Sequence, residues 1–244
     1  MAAVQTYNRN PWSLSNLALL PRTPERWYAQ DFLWTFNSHD FMDDPRFQRA
    51  YARGARAAGR DPRIHWRVHT ILWAATLAVS RPGAFVECGT GRGIMASAIC
   101  EYLGWHGRDF YLLDTFLPFW TNRDGDQLAG GPVSDAYAID VDHTRANFSE
   151  WDGVHMVQGR IPESLSSVKV DQVAFLHIDM NHPSPETAAL RHFWPLVSSG
   201  GVVVLDDYGF AAHRVQRQAI DVVAREFDMN ILALPTGQGV IVKS

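Results

Sequence analysis

From Ala84 to the C-terminus, short apolar runs alternate with segments of helical period, and this alternation constrains the fold more than any other property of the chain. Strands are expected at 84–88, 109–113, 154–158, 173–178, 201–205, 230–234 and 239–243, with helices over 92–104, 140–149, 186–198 and 213–227. Parallel strands need crossovers long enough to hold a helix, so the pattern predicts an α/β fold: a Rossmann-like, doubly wound, mostly parallel sheet of seven strands with helices on both faces. Only "PTGQ" separates the last two strands, which is hairpin length, so one of them must run antiparallel near the C-terminus. Pro185-Glu186 suits a first helical turn, and Ser199-Gly200-Gly201 suits a helix end.

Upstream, "IHWRVHTILWAATLAVS" (64–80) carries apolar residues at helical spacing and is broken by Pro82-Gly83. Residues 1–60 are rich in aromatics (Trp27, Tyr28, Phe32, Trp34, Phe36, Phe41, Phe47, Tyr51) and show no clear strand pattern. They are expected to form short helices packed on the main domain or on a partner subunit, which leaves a homo-oligomer open. The expected division is an N-terminal helical extension or lid over 1–63 and a catalytic domain over 64–244. The connection 117–138, polar and glycine-containing, is long enough to be a functional lid. A formal net charge of −4 gives no electrostatic case for nucleic acid or an anionic membrane. Two cysteines, Cys88 and Cys100, point to reduced chemistry, and neither a signal peptide nor a spanning apolar run is evident. A soluble cytoplasmic protein is expected.

Open α/β sheets bind ligands at the carboxyl ends of their strands, and three such ends carry chemistry here. "VVVLDDYG" ends in Asp206 and Asp207, and "VAFLHID" ends in Asp179. Adjacent desolvated carboxylates repel each other, and a divalent cation is the usual remedy. All-oxygen ligation by Asp179, Asp206 and Asp207 favours Mg²⁺, admits Mn²⁺ or Ca²⁺, and disfavours zinc. The third end, "ECGTGRG", supplies Glu87, Gly89, Thr90 and Gly91 between a strand and a helix, the context of a nucleotide-type turn. Its spacing is G-x-G-x-G, and an acid two residues ahead of the first glycine would repel a pyrophosphate. That carboxylate could accept from a cationic amino acid moiety, such as the one S-adenosylmethionine carries. Asp114, 21 residues beyond Gly93, stands where an acid accepts ribose hydroxyls, with Thr115 beside it. Arg160 or Ile161, after the third strand, could cover an adenine ring. Each of these acids also has a plainer reading as a strand-end cap.

Of the ten histidines, three lie near these ends. His177 lies within a strand and reads as a hydrogen-bonded core group. His182, in "DMNHPSPE", would sit at the mouth of the site. His213 opens the helix after "DDYGFAA" and could reach the same crevice. Asn181 could bond a substrate or a metal-bound water, and Gln238 could line the site.

Taken together, the glycine turn with its leading Glu, the acid after the second strand, "IDMNHPSPE…GGVVVLDDYG…H" and the "LPTGQG" hairpin resemble a class I S-adenosylmethionine-dependent methyltransferase of the macrocin O-methyltransferase type. The likeness covers about 64–244 and is most specific in the last third. It implies a seven-stranded sheet with one reversed strand and Mg²⁺ held by Asp179, Asp206 and Asp207. Members of that family often read D-G-D where this chain has Asp179-Met180-Asn181, so an amide replaces the second acid, which is the family's proposed base. In related catechol-type enzymes a lysine three residues after the first metal Asp is the base, and His182 has that spacing here. His182 is therefore preferred as general base over His213, whose ring could instead cap a helix or support the acid pair. The expected activity is Mg²⁺-dependent transfer of a methyl group to a hydroxyl of a sugar or natural-product intermediate. Two other readings remain: a cofactor-binding protein of the same fold without turnover, and a nicotinamide oxidoreductase, which the glycine spacing disfavours.

Overall fold

A computed structural model of the chain describes residues 28–116 and 140–244. The expected lid at 117–138 and the aromatic Trp27 lie outside the described residues. The chain divides into a small N-terminal unit ending at His39 and a larger one from Asp40 to Ser244.

In the small unit, β1 (Tyr28–Gln30) and β2 (Leu33–Thr35) form an antiparallel hairpin. The turn residues Asp31 and Phe32 both have positive φ, 51° and 58°. Such a turn usually announces itself by Asn-Gly or Asp-Gly, and "DF" carries no such signal, so the sequence pattern concealed it.

The larger unit opens with α1 (Pro45–Ala58) and α2 (His65–Ala78), followed by β3 (Ala84–Cys88), α3 (Ile94–Leu103) and β4 (Phe110–Asp114). Then come α4 (Val141–Ala146), β5 (Val154–Gln158), β6 (Val173–Ile178), α5 (Pro183–Phe193), β7 (Val197–Leu205), α6 (Arg214–Glu226), β8 (Leu232–Ala233) and β9 (Gly239–Val242). α1 belongs to this unit. Gly54 explains how closely α1 approaches α3: a Cβ there would stand 2.8 Å from the Ile94 carbonyl oxygen.

The seven strands lie in the order β5-β4-β3-β6-β7-β9-β8, with β9 antiparallel to both neighbours. The expected mostly parallel sheet with one reversed strand is therefore found. Period-two alternation divides its side chains. Phe85, Phe110, Phe175, Val202 and Val204 face one core with α1, α2 and α3, while Val86, Leu113, Leu176, Val203 and Leu205 face another with α5 and α6. No helix among the described residues is long and apolar enough to cross a membrane.

Strand order reverses between β3 and β6: β4 and β5 extend one way and β7 the other. Such a switch point opens a crevice at the carboxyl ends of the strands, and that is where the glycine turn and the acids fall.

Candidate active site

Gly89 leaves β3 at the switch point. Its N–H donates to the Leu113 carbonyl (2.8 Å), while the Asp179 N–H donates to the Cys88 carbonyl (2.8 Å) across the β3–β6 pair. A Cβ on Gly89 would lie 1.8 Å from the Asp179 carbonyl oxygen, so backbone contact alone dictates glycine here. Gly91 differs: its φ is 56°, yet a Cβ would meet none of the described residues within 4 Å. The turn is held from β4 by Asp114, whose Oδ2 accepts from the Gly91 N–H (2.7 Å) and whose Oδ1 accepts from the Phe116 N–H (2.9 Å). Oδ2, which accepts only the Gly91 N–H among the described residues, keeps a lone pair to offer a ligand. Thr115 Oγ1 donates to the same Oδ1 at 3.3 Å. Arg160 is exposed and Ile161 half-buried in the turn after β5, the strand beside β4.

Glu87 does not simply face outward from the turn. Period two puts it on the α1–α3 side of the sheet, in register with His177, whose Nδ1 lies 2.9 Å from Glu87 Oε1. Among the described residues, Oε2 of Glu87 and the hydroxyl of Thr90 are buried without a hydrogen-bond partner. Such unspent acceptors beside an open glycine turn fit a cofactor with ammonium and hydroxyl donors.

Continuing across the sheet on that same side, His177 Nε2 stands 3.8 Å from Asp206 Oδ1. Gln238, fully buried in the β8–β9 turn, donates from Nε2 to that oxygen (2.8 Å). From α2, Arg67 Nη1 donates to Asp206 Oδ2 (2.6 Å) and to Asp207 Oδ1 (3.3 Å). Desolvation works against the charge on His177, but the bonds and charges of Asp206 and Glu87 prevail and push its pKa up to about 10. Burial likewise works against the Asp206 carboxylate, and Arg67, His177 and Gln238 overcome it, holding the group well below the usual range. Burial raises Asp179 well above that range, and the neighbouring charges of Asp206 and Asp207 raise it further.

These directions decide what the acids can hold. Among the described residues, Glu87, Asp179, Asp206 and Asp207 cluster about Arg67 and His177, with His213 at the edge beside Asp207. The donor chemistry therefore fits a hard divalent cation. The placement is not that of an assembled site: among the described residues no three His, Cys, Asp or Glu side chains group as a metal-binding set. Arg67 spans the adjacent acids instead, so an ion held by all three must share them with the guanidinium or displace it.

The two candidate histidines take different places. His182 is the N-cap of α5, with Nδ1 accepting from the Ser184 N–H (3.3 Å). A neutral ring that accepts at Nδ1 carries its hydrogen on Nε2, the wrong tautomer for a base acting there. His213 sits just ahead of α6, with Nε2 3.8 Å from Asp207 Oδ2 and Nδ1 2.9 Å from Gln216 Oε1. Asn181 turns inward and donates to Asp179 Oδ1 at 3.3 Å.

Sequence reasoning passed over Arg67, Gln216 and Glu186. A lone arginine on the buried face of the apolar "HWRVHTILWAATLA" helix was the available signal for the first. The other two had none, because their partners come from separate helices.

Residues 68–229 match the model of the macrocin O-methyltransferase (TylF) family. Among curated proteins the chain is 28% identical over 159 residues to 8-demethyl-8-(2,3-dimethoxy-alpha-L-rhamnosyl)-tetracenomycin-C 4'-O-methyltransferase of Streptomyces olivaceus, covering 57% of this chain and 58% of that protein. It is 26% identical over 161 residues to demethyldecarbamoylnovobiocin O-methyltransferase of Streptomyces niveus, covering 61% and 60% respectively. The match thus spans about three fifths of these relatives' length. Among solved structures, the O-methyltransferase NovP superposes with a TM-score of 0.60 at 20% identity, covering 73% of this chain and 79% of that one. An O-methyltransferase from Bacillus cereus in complex with SAH gives 0.53 at 15% identity, covering 82% and 91%. The structural likenesses establish the fold. With the family model matching well over half its length, the chain belongs to the macrocin O-methyltransferase family.

Proposed function

We propose that this protein transfers a methyl group from S-adenosylmethionine to a hydroxyl of a small molecule, a sugar or natural-product intermediate, in the cytoplasm. One observation carries the reading: at the switch point, a glycine turn with open space at Gly91, braced by Asp114, stands beside a cluster of acids and a histidine. The first supports a nucleoside-type donor, and the second supports deprotonation of an acceptor. The names of the relatives, O-methyltransferases of a rhamnosyl-tetracenomycin and of demethyldecarbamoylnovobiocin, are consistent with that acceptor class.

When bound, S-adenosylmethionine would supply an electrophilic methyl on a sulfonium whose sulfur would keep the C–S electron pair on transfer. The chain's residues do the rest. Glu87, Gly89, Thr90 and Gly91 receive the amino acid end, and Asp114 with Thr115 receives the ribose. Arg160 and Ile161 flank the base. His213 Nε2 takes the hydroxyl proton as the oxygen attacks, with Asp207 beside it to stabilise the imidazolium. His213 is preferred here over His182 because only its ring presents a free Nε2 lone pair. With a donor already activated, catalysis rests mainly on positioning and exclusion of water.

Calorimetry with S-adenosylhomocysteine tests the donor. Micromolar binding is expected, and Asp114→Ala should weaken it by about 1.5–3 kcal/mol, the range for hydrogen bonds to a charged group. A folded protein that binds NAD in its place would overturn the assignment.

Mg²⁺ is part of the proposal, held by Asp179, Asp206 and Asp207, where its charge would lower the pKa of an acceptor hydroxyl. EDTA should abolish turnover and Mg²⁺ restore it. Arg67→Met leaves the acid pair uncompensated, a change that typically costs about 3–5 kcal/mol for a buried pair. Added Mg²⁺ should raise the melting temperature of that variant more than that of the wild type. Full activity in excess chelator would remove the metal from the proposal and leave methyl transfer standing.

A further inference from the structure

A buried hydrogen-bond chain runs behind His213, on the side away from the acids. Its root is Glu186 in the first turn of α5, only 2% exposed. Glu186 Oε1 accepts two hydrogen bonds, from the Met180 N–H (3.0 Å) and from Gln216 Nε2 (2.7 Å). The first ties it to the loop that carries Asp179 and Asn181. The second fixes the amide of Gln216, itself buried in α6.

An amide has one nitrogen and one oxygen, so committing the nitrogen aims the oxygen. Gln216 Oε1 therefore faces His213 Nδ1 at 2.9 Å. A carbonyl oxygen only accepts, so Nδ1 must carry the hydrogen. In the neutral ring the lone pair is then on Nε2, the nitrogen directed towards Asp207. We infer that Glu186 and Gln216 are positioning residues that hold His213 in its Nδ1–H tautomer and so keep Nε2 basic towards the acceptor. This rests on the methyl-transfer reading for its purpose, while the tautomer itself follows from the hydrogen bonds alone.

The arrangement has the logic of a catalytic histidine oriented by a buried partner, with a glutamine interposed between ring and carboxylate. The interposition has a consequence. A carboxylate placed directly against the ring would also bind the imidazolium tightly, whereas a neutral amide selects the tautomer without adding a full charge.

Nitrogen-15 NMR of histidine-labelled protein tests the inference, with the His213 signals assigned by their loss in His213→Gln. Recorded where the ring is neutral, the wild type should show Nδ1 protonated and Nε2 bare. Gln216→Leu should lose that preference and lower kcat about 10–100-fold with S-adenosylhomocysteine affinity unchanged, the usual scale for a supporting partner. Gln216→Glu retains an acceptor at Nδ1 and should keep the Nδ1–H tautomer, while its charge shifts the ring's titration to higher pH. An Nε2–H tautomer in the wild type overturns the inference, as does an unaltered tautomer in Gln216→Leu. Should Gln216→Leu fail to fold, the wild-type and Gln216→Glu spectra still decide. A wild type with the expected tautomer but no methyl transfer to any acceptor would sink the functional reading and leave the relay intact.

Discussion

His213→Ala is expected to lower kcat by about 10²–10⁴-fold, the usual contribution of a general base, while affinity for S-adenosylhomocysteine stays near wild type. The ring is only partly enclosed and makes one side-chain hydrogen bond, to Gln216, so its removal should leave the fold intact. His182→Ala provides the contrast. Its ring caps α5, and loss of a cap typically costs about 1 kcal/mol of stability. The melting temperature should therefore fall slightly in His182→Ala while kcat holds within a few-fold. The opposite pattern, a slow His182→Ala and a fast His213→Ala, would restore the preference that spacing from Asp179 alone suggested. If neither variant is slow, the proton leaves by water.

The choice between these two histidines illustrates which features sequence could reveal. The strands were legible where apolar runs are bounded by polar residues. β3, β5 and β6 fall at the expected 84–88, 154–158 and 173–178. β7 begins at Val197, four residues before expectation: Ser199-Gly200-Gly201 resembles a helix end, yet here the strand bulges between the Val173–Val197 and Phe175–Val202 pairs, with the Gly200 N–H donating to the Lys243 carbonyl. Likewise α5 starts at Pro183 and not at residue 186: His182 caps it, and histidine is seldom chosen as a capping residue. The strand-end acids were legible because an apolar run ending in a carboxylate breaks a hydropathy pattern. Their partners were not. Arg67 meets Asp206 across 139 positions of sequence, and Gln238 meets it across 32. Only the topology brings α2 over the row formed by Glu87, His177 and Asp206. Asp206 and Asp207 also look equivalent in sequence, yet in the turn after β7 the first meets Gln238 and the second stands beside His213, with Arg67 bridging both.

The glycine turn separates structural need from cofactor need in a way two substitutions can measure. At Gly89 an added methyl collides with backbone, 1.8 Å from the Asp179 carbonyl oxygen and 2.5 Å from its carbon, at a φ of 93°. Neither neighbour can rotate aside, because the Asp179 N–H is bonded to the Cys88 carbonyl within the same pair of strands. Positive φ costs a non-glycine residue about 1–2 kcal/mol, and overpacking adds about 1–3. Gly89→Ala should thus lose about 2–5 kcal/mol, which for a chain of this size lowers the melting temperature by roughly 4–20 °C. Parting β3 from β6 at the switch point should also abolish cofactor binding. At Gly91 the added methyl meets none of the described residues within 4 Å, so Gly91→Ala bears only the backbone cost, lowering the melting temperature by about 2–8 °C. If the open space at Gly91 is where the cofactor's backbone contacts are made, that well-folded variant should still bind S-adenosylhomocysteine at least 10-fold more weakly, since a methyl would occupy the ligand's approach. Wild-type affinity in Gly91→Ala would mean that the cofactor does not approach the turn at this glycine, and the donor site would have to be sought elsewhere along the β3–β4 edge.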